Sequence, residues 1–453
     1  MQVMEDISRF VWGPVMLALL VGTGVFLMLR LRFMPIRKLG LAIRTAFSRK
    51  SGGDGDISPF GALMTALAAT IGTGNIAGVA TAIAIGGPGA VFWMWVAAVF
   101  GMATKYGEAV LAVRYRVRGA DGRWRGGPMY ALEHGLPWPR LGKLLGIFFA
   151  VFAVIASFGI GNMAQANAVS GVAGAYGVPP LVSGIVLAVF CGLVMLGGIA
   201  SIARVTSRVV PVMGGLYILG GLIVVALNAD RLGAGVAGIV RSAFSGQAAC
   251  GAFAGASTMT ALRYGVARGV FSNEAGLGSA PIAAAAAKTD SPARQGLVSM
   301  TGTFFDTLVV CTVTALVIAC TGMWQHTDPS GAALTGAALT AAAFESGLPG
   351  VGRIVVSVGL AMFALTSILG WSYYGEKSIE YLMPRRGVVA AYRMAFCGAI
   401  CVGAVLPLEA VWHFADTANA MMAVPNLICL LWLNKVIIDA TRSFFGRKKT
   451  RPP

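Results

Sequence analysis

Residues 68–82 read AATIGTGNIAGVATA. The run lies inside a long apolar segment, yet it places Gly72, Thr73, Gly74, Asn75 and Gly78 where an ordinary spanning helix would carry leucine. Backbone N–H and C=O groups freed inside a bilayer cost several kcal/mol each unless something binds them. A break at Gly72 to Asn75 is therefore tolerable only where its groups meet a ligand or a neighbouring helix. The N–H groups at Thr73 to Asn75 suit a carboxylate, and the carbonyls of Ala68 and Ile71, just before the break, suit a cation. The competing reading is helix packing through the small pair Gly74 and Gly78. Packing explains the glycines and leaves Thr73 and Asn75 unexplained.

Working outward, composition sets the class. The 453 residues are 57% hydrophobic and 12% charged, with mean hydropathy +0.76, against about 25% charged in a soluble domain. Apolar segments recur along almost the whole chain, which reads as one integral membrane domain, all-α, over 1–453. Within it, 1–50 form an N-terminal helix and basic loop, 51–230 a first set of five helices, 231–445 a second set, and 446–453 a basic tail.

The net charge of +17 invites a nucleic-acid reading, which the placement of the charges excludes. All Lys and Arg except Arg9, Arg231, Arg241 and Arg353 fall in segments that one topology puts on the cytoplasmic side, which is the positive-inside bias. The cysteines lack metal spacing and lie mostly in apolar segments, so no disulfide framework is expected. Glu5 and Asp6 stand where a signal peptide would be basic, so the first helix is expected to stay.

Runs of roughly 20 apolar residues, enough to cross about 30 Å of hydrocarbon, predict eleven spans. They cover 10–31, 58–86, 90–115, 142–172, 180–200, 208–228, 249–267, 294–321, 351–380, 388–407 and 410–441. The basic loops 30–50, 114–127, 204–208 and 383–387 and the tail alternate with loops nearly free of Lys and Arg. This predicts an external N-terminus and a cytoplasmic C-terminus. A short external surface helix is expected near 333–346. The seventh span, interrupted by Gly251, Gly255, Ser257 and Thr258, pairs with the second as the other irregular helix. Gly-interrupted segments in corresponding positions of two halves point to a transporter's binding site.

Other polar residues in the spans have structural and functional readings side by side. Thr366 and Ser367 offer adjacent hydroxyls for a hard cation, or back-bonds to their own helix. Asn162, Gln165 and Asn167 either bridge helices or touch a substrate. Asp306 is a carboxylate inside a crossing, costing about 2.5 kcal/mol or more, and so by default a functional candidate as a proton or ion site, or else neutral or paired with a buried hydroxyl. Trp371, one turn from Ser367 and in its reach, either joins Thr366 and Ser367 or faces lipid or packs. GDGD at 53–56 and the glycines at 72–78 match protease and dinucleotide motifs by chance, since the first lies in a polar loop and the second lacks a βαβ unit. With three histidines, all near span ends, and no Cys cluster, an enzyme is not expected.

The runs GTGNIAGVATAIAIGGPGAVFWMWVAAVFGMATKYGE (72–108), GGPMYAL (126–132), RGVFSNEAGLGSAPIAAAAAKT (268–289) and QGLVSMTGTFFDTLVVCTVTAL (295–316) resemble the alanine/glycine:cation symporter family. The resemblance implies a LeuT-type fold, with two inverted five-helix repeats (helices 2–6 and 7–11) after one extra N-terminal helix. It implies Na⁺-coupled uptake of a small neutral amino acid, alanine or glycine, across a bacterial inner membrane, with no obligate protein partner. The Gly72-x-Gly74-Asn75 break and the Leu365-Thr366-Ser367 run also resemble motifs of neurotransmitter:sodium symporters. Carried over, they put Na⁺ among the carbonyls of Ala68, Ile71 and Phe363 and the hydroxyls of Thr366 and Ser367. The substrate carboxylate then lies over Thr73, Gly74 and Asn75, and its ammonium faces Gln165 and the seventh-helix break at Phe253, Gly255 and Ser257. Trp371 limits side-chain size. Ala69 and Thr70 depart from the Asn and Ala of those symporters, so one sodium is expected. FSNEAGLGSAP (271–281) is read as a cytoplasmic loop; were the seventh helix to break at Asn273, that stretch would line the site.

Overall fold

The computed structural model describes residues 12–48, 52–245, 258–327, 331–406 and 408–446. Apart from one short hairpin, β1 (Val117–Arg118) with β2 (Trp124–Arg125), regular structure is helical. The helices are α1 (Pro14–Arg30), α2 (Leu39–Ala46), α3 (Pro59–Thr70), α4 (Val79–Gly86), α5 (Gly89–Arg114), α6 (Pro128–Gly135), α7 (Pro139–Phe158), α8 (Ala164–Gly174), α9 (Pro180–Leu196) and α10 (Gly198–Leu227). There follow α11 (Ala229–Phe244), α12 (Thr258–Asn273), α13 (Ala280–Ala285), α14 (Pro292–Thr303), α15 (Thr312–Thr321), α16 (Gly336–Gly347), α17 (Gly352–Leu382), α18 (Arg386–Val405), α19 (Leu408–Trp432) and α20 (Asn434–Gly446). Proline opens many of them, where its fixed φ suits the first turn and its missing N–H leaves no donor unmet. At α3, Ser58 adds a cap, its Oγ accepting from the Gly61 amide at 3.0 Å.

Among the described residues six helices, counting α7–α8 and α14–α15 as continuous, are long and apolar enough to cross a membrane, and up to eight if each bent pair is one span. The α9 face with Leu181, Ile185, Val189 and Leu196 and the α10 face with Val212, Leu216, Leu219 and Leu227 are exposed apolar surface. Rows of this size suit lipid rather than water. The polypeptide is thus a multi-pass membrane protein.

The second span is broken as the opening residues predicted. α3 stops at Thr70, α4 resumes after a π-helical turn at Gly74–Gly78, and the halves bend by 53°. Two further π-helical turns, Gly159–Met163 between α7 and α8 and Phe304–Cys311 between α14 and α15, interrupt the spans that carry Gln165 and Asp306. Such bulges concentrate at functional sites because they free backbone groups and turn side chains.

Three expectations need correction. First, the seventh helix runs from Thr258 to Asn273, the expected break at Gly251, Gly255 and Ser257 lying outside the described residues, and the alternative break at Asn273 is the one present: Glu274 to Ser279 is a buried interruption between α12 and α13, where a cytoplasmic loop was expected. Arg263 and Arg268 misled the reading: α12 packs along α4 and α5, and Gly86 lies against Ala261 and Tyr264, so these arginines belong to the end remote from the basic loops. Second, α16, the short helix expected near 333–346, does not merely lie on the surface: Ala338 and Ser346 are exposed, but its other face is sunk into the protein. Leu339, Thr340, Ala343 and Phe344 are fully buried, and Thr340 reaches the first break. Third, the last span ends at Trp432, where the chain turns by 58° into the amphipathic α20.

The broken helices lie side by side, α12 along α4 and α13 along α3, so they run in opposite directions. At the end carrying the basic loops they are clasped. Ile57 and Ala287 form a parallel bridge, with the Asp56 amide on Ala286 O at 2.8 Å and the Lys288 amide on Ile57 O at 2.7 Å. The Arg116 guanidinium donates to Ala285 O (3.0 Å), Ala287 O (2.8 Å) and Asp54 O (2.8 Å), and stacks over Trp124 at 4.2 Å.

Candidate functional site: two broken helices joined through Asp306

At the first break, glycine is required by close approach. A Cβ on Gly72 would stand 2.6 Å from Ser367 Oγ and 3.5 Å from Gln165 Oε1, so α3, α17 and α8 converge there. The Asn75 side chain caps the break from within: Oδ1 accepts the Gly72 amide at 2.9 Å. Its Nδ2 donates to Asp306 Oδ1 at 2.8 Å and to Asp306 O at 3.2 Å. The Asn75 amide is therefore engaged by protein groups. The N–H groups of Thr73 and Gly74 make no turn or cap hydrogen bond among the described residues. Two carbonyls of the π-turn are met by neighbours, Asn75 O by Thr314 Oγ1 (2.9 Å) and Ile76 O by Thr340 Oγ1 (2.9 Å).

Asp306, fully buried in the π-turn after α14, is the hub. Besides Asn75, its Oδ2 accepts from Ser272 Oγ (2.9 Å) and Thr307 Oγ1 (2.8 Å). Thr307 Oγ1 in turn accepts from Asn273 Nδ2 (3.0 Å), and Asn273 Oδ1 accepts the Ala275 amide (2.9 Å). A continuous chain of hydrogen bonds so runs from Gly72 in the first break to Ala275 in the second. An amide and two hydroxyls all able to donate suit an ionised carboxylate, an acceptor on both oxygens.

The second break spans Glu274 to Ser279. Glu274 adopts φ +56°, Gly276 +95° and Gly278 +83°. The region is sterically easy for glycine and costly for Glu274, so surrounding contacts must hold it. Ser279 Oγ donates to the Glu274 carboxylate. On the facing helix α5, Glu108 Oε1 accepts the amides of Gly276 and Gly278. Lys105, also buried on α5, lies in electrostatic reach of Glu108, Glu274 and Asp306. Phe271 and Ser272 come up to Gly74, whose Cβ would lie 3.3 Å from both.

Of the sequence-predicted groups, the structure brings several together. Ser367 Oγ is 3.5 Å from Ile71 O across two helices, whereas Thr366 Oγ1 makes the back-bond to Phe363 O of its own helix at 3.0 Å and faces Met213 Sδ at 3.5 Å; Ala68 is fully buried. These oxygens are the donor type a sodium ion requires. Gln165 Nε2 donates to Ile160 O (3.0 Å) and Thr73 Oγ1 (3.3 Å), while its buried Oε1 has no partner. Trp371 packs on the π-turn at Gly161, where any Cβ would overlap it, and lies against Tyr374. Asn162 and Asn167 bridge to α18 and its end, through Phe396 O, Gly403 O and Leu406 O. Phe253, Gly255 and Ser257 lie outside the described residues.

Sequence reasoning reached Ser272, Asn273 and Glu274 only through the alternative break at Asn273, and it missed Glu108 and Thr340. The signal for the first three was present in the polar SNE followed by two glycines, a stretch as unlike a spanning helix as IGTGN itself.

Helices interrupted at mid-span, facing each other around buried polar groups in a multi-pass membrane protein, define a transporter rather than an enzyme. The family model described as the sodium:alanine symporter family matches residues 1–452. The chain belongs to that family. It is 55% identical to the sodium/alanine symporter AgcS of Methanococcus maripaludis over 97% of this chain and 96% of that protein. It is 37% identical to the probable sodium/glutamine symporter GlnT of Bacillus subtilis, over 99% and 92% respectively. Among solved structures, a manganese transporter from Eremococcus coleocola superposes with TM-score 0.53 over 89% of this chain and 92% of that one, at 12% identity. At that identity the likeness speaks for the fold alone.

Proposed function

We propose that the protein carries a small neutral amino acid, alanine or glycine, into the cell by symport with sodium. Eleven crossings form two inverted five-helix repeats after α1, with the C-terminus and the basic loops inside. The observation that carries this reading is the pair of antiparallel broken helices with polar groups left open between them. Gln165 Oε1 is an acceptor for an ammonium, and the Thr73 and Gly74 amides are donors for a carboxylate. Asn75 acts through the break and Asp306 rather than by touching substrate. Phe271 and Ser272, close to Gly74, approach the same amides from the second broken helix, and Trp371 limits the size of the side chain admitted. Sodium sits on Ala68, Ile71 and Phe363 carbonyls with Thr366 and Ser367. The names of the sodium/alanine and sodium/glutamine relatives support the ion and the substrate class.

A second reading, proton coupling through Asp306, draws on its complete burial. Against it, both carboxylate oxygens are already engaged by donors from Asn75, Ser272 and Thr307. Alanine uptake into proteoliposomes separates the two: an imposed Na⁺ gradient should drive accumulation, and a pH gradient without Na⁺ should not. Accumulation driven by the pH gradient alone would sink the sodium reading.

A further inference from the structure

Two charged side chains on α5 stand outside the uptake scheme. Lys105 and Glu108, one turn apart, are 3% and 2% exposed and face the second break. Among the described residues the Lys105 ammonium and Glu108 Oε2 have no hydrogen-bond partner. Glu108 Oε1, by contrast, accepts three donors: the Gly276 amide at 3.0 Å, the Gly278 amide at 3.2 Å and Asn426 Nδ2 of α19 at 2.8 Å. Asn426 Nδ2 also donates to Gly276 O at 2.9 Å. Both glycines have positive φ, so the helix does not continue through them and their amides lose the usual i−4 carbonyl. In a membrane interior such amides need another acceptor.

We propose that Glu108 is a positioning residue of the transport site: with Asn426 it holds the unwound Glu274–Ser279 segment so that Ser272 and Asn273 meet Asp306 and Thr307. The connection is short. Asn273 Oδ1 accepts the Ala275 amide, and the next amide, Gly276, is on Glu108. Releasing Gly276 loosens the residue that orients Asn273, and through Thr307 it loosens the geometry around Asp306. Glu108 thus does for the second break what Asn75 does for the first. Asn75 lies inside its own break, whereas Glu108 reaches in from another helix. The second break is consequently tied to α5 and α19, and movement of either helix is transmitted to it. Lys105 places a positive side chain among Glu108, Glu274 and Asp306. The transport part of this inference rests on the uptake reading above; the structural part does not.

The test compares Glu108→Ala with Glu108→Gln in the full-length protein in detergent or nanodiscs. Three readouts apply: amide hydrogen exchange of 274–279, sodium-dependent alanine binding, and thermal unfolding as a check on the fold. Glu108→Ala should speed exchange in 274–279 and raise the half-saturating sodium and alanine concentrations by about tenfold, the scale of a lost hydrogen bond to a charged acceptor. Glu108→Gln keeps an acceptor oxygen and should recover most of both losses. Equal losses in the two variants would show that charge matters and position does not, overturning the proposal, as would unchanged exchange in Glu108→Ala. If Glu108→Ala yields no folded protein, Asn426→Ala must shift exchange and half-saturation in the same direction, and no shift there overturns the proposal. A wild-type protein that binds no alanine in sodium would overturn the uptake reading, while the exchange comparison would still decide the role of Glu108.

Discussion

Asn75 and Asp306 hold one contact between elements more than two hundred residues apart in sequence, and its chemistry is directional. The amide donates, the carboxylate accepts, and the amide oxygen remains for the Gly72 N–H. Asp306→Asn puts a neutral group in place of the carboxylate and confronts the Asn75, Ser272 and Thr307 donors with a weaker acceptor. Each hydrogen bond to a charged group is worth about 1.5–3 kcal/mol, so a loss of at least tenfold in sodium affinity is expected, measured by the sodium dependence of alanine binding. Full retention would remove Asp306 from the ion's surroundings. Gly72→Ala tests sterics at the same break. Its new Cβ must displace Ser367 Oγ, which lies 2.6 Å away, so half-saturating sodium should rise while thermal stability falls by about 1–3 kcal/mol, the usual cost of overpacking. Thr366→Ala, which removes a hydroxyl beside Phe363 O, should raise the sodium requirement and leave the fold intact.

At the scale of elements, the breaks are legible in sequence to different degrees. The first announces itself because IGTGN interrupts an apolar run with no charge nearby. The second was misplaced because Arg263 and Arg268 made its flank look cytoplasmic, and only the packing of α12 against α4 shows them at the other end. The clasp between the α3 start and the α13 end was not legible at all. It joins Asp54 to Ile57 with Ala285 to Thr289 through backbone groups and one arginine from a third segment. Arg116→Ala should leave the carbonyls of Ala285 and Ala287 without their cation and speed amide exchange across 285–289, with a lower maximal uptake rate. Exchange unchanged in that variant would show that the parallel bridge suffices without the guanidinium.

For the whole molecule, the separation of charge from apolar surface is the organising fact. Ion pairs gather where the basic loops are: Arg125 with Glu380 at 2.6 Å, Lys377 with Glu380 at 2.7 Å and Arg393 with Glu376 at 2.8 Å. The exposed sides of α9 and α10 carry leucine, isoleucine and valine. Sidedness can be read directly. With native cysteines replaced, a cysteine at Gly177 should react with a membrane-impermeant maleimide added outside cells, and one at Gly387, in the first turn of α18 beside Arg385 and Arg386, only after permeabilisation. The reverse pattern would invert the topology.

The sequence by itself determined the membrane class, most span limits and the first break, because hydropathy and glycine placement act locally and the bilayer allows few alternatives. Its motifs also pointed to the family. Tertiary structure decided which polar groups meet. Asn75 to Asp306, Glu108 to the Gly276 and Gly278 amides, Thr340 to Ile76 O and Arg116 to the α13 carbonyls all join residues far apart in the chain. Such pairings depend on how helices cross. A buried carboxylate in a sequence states only that a partner is needed, and the packing of the helices supplies it.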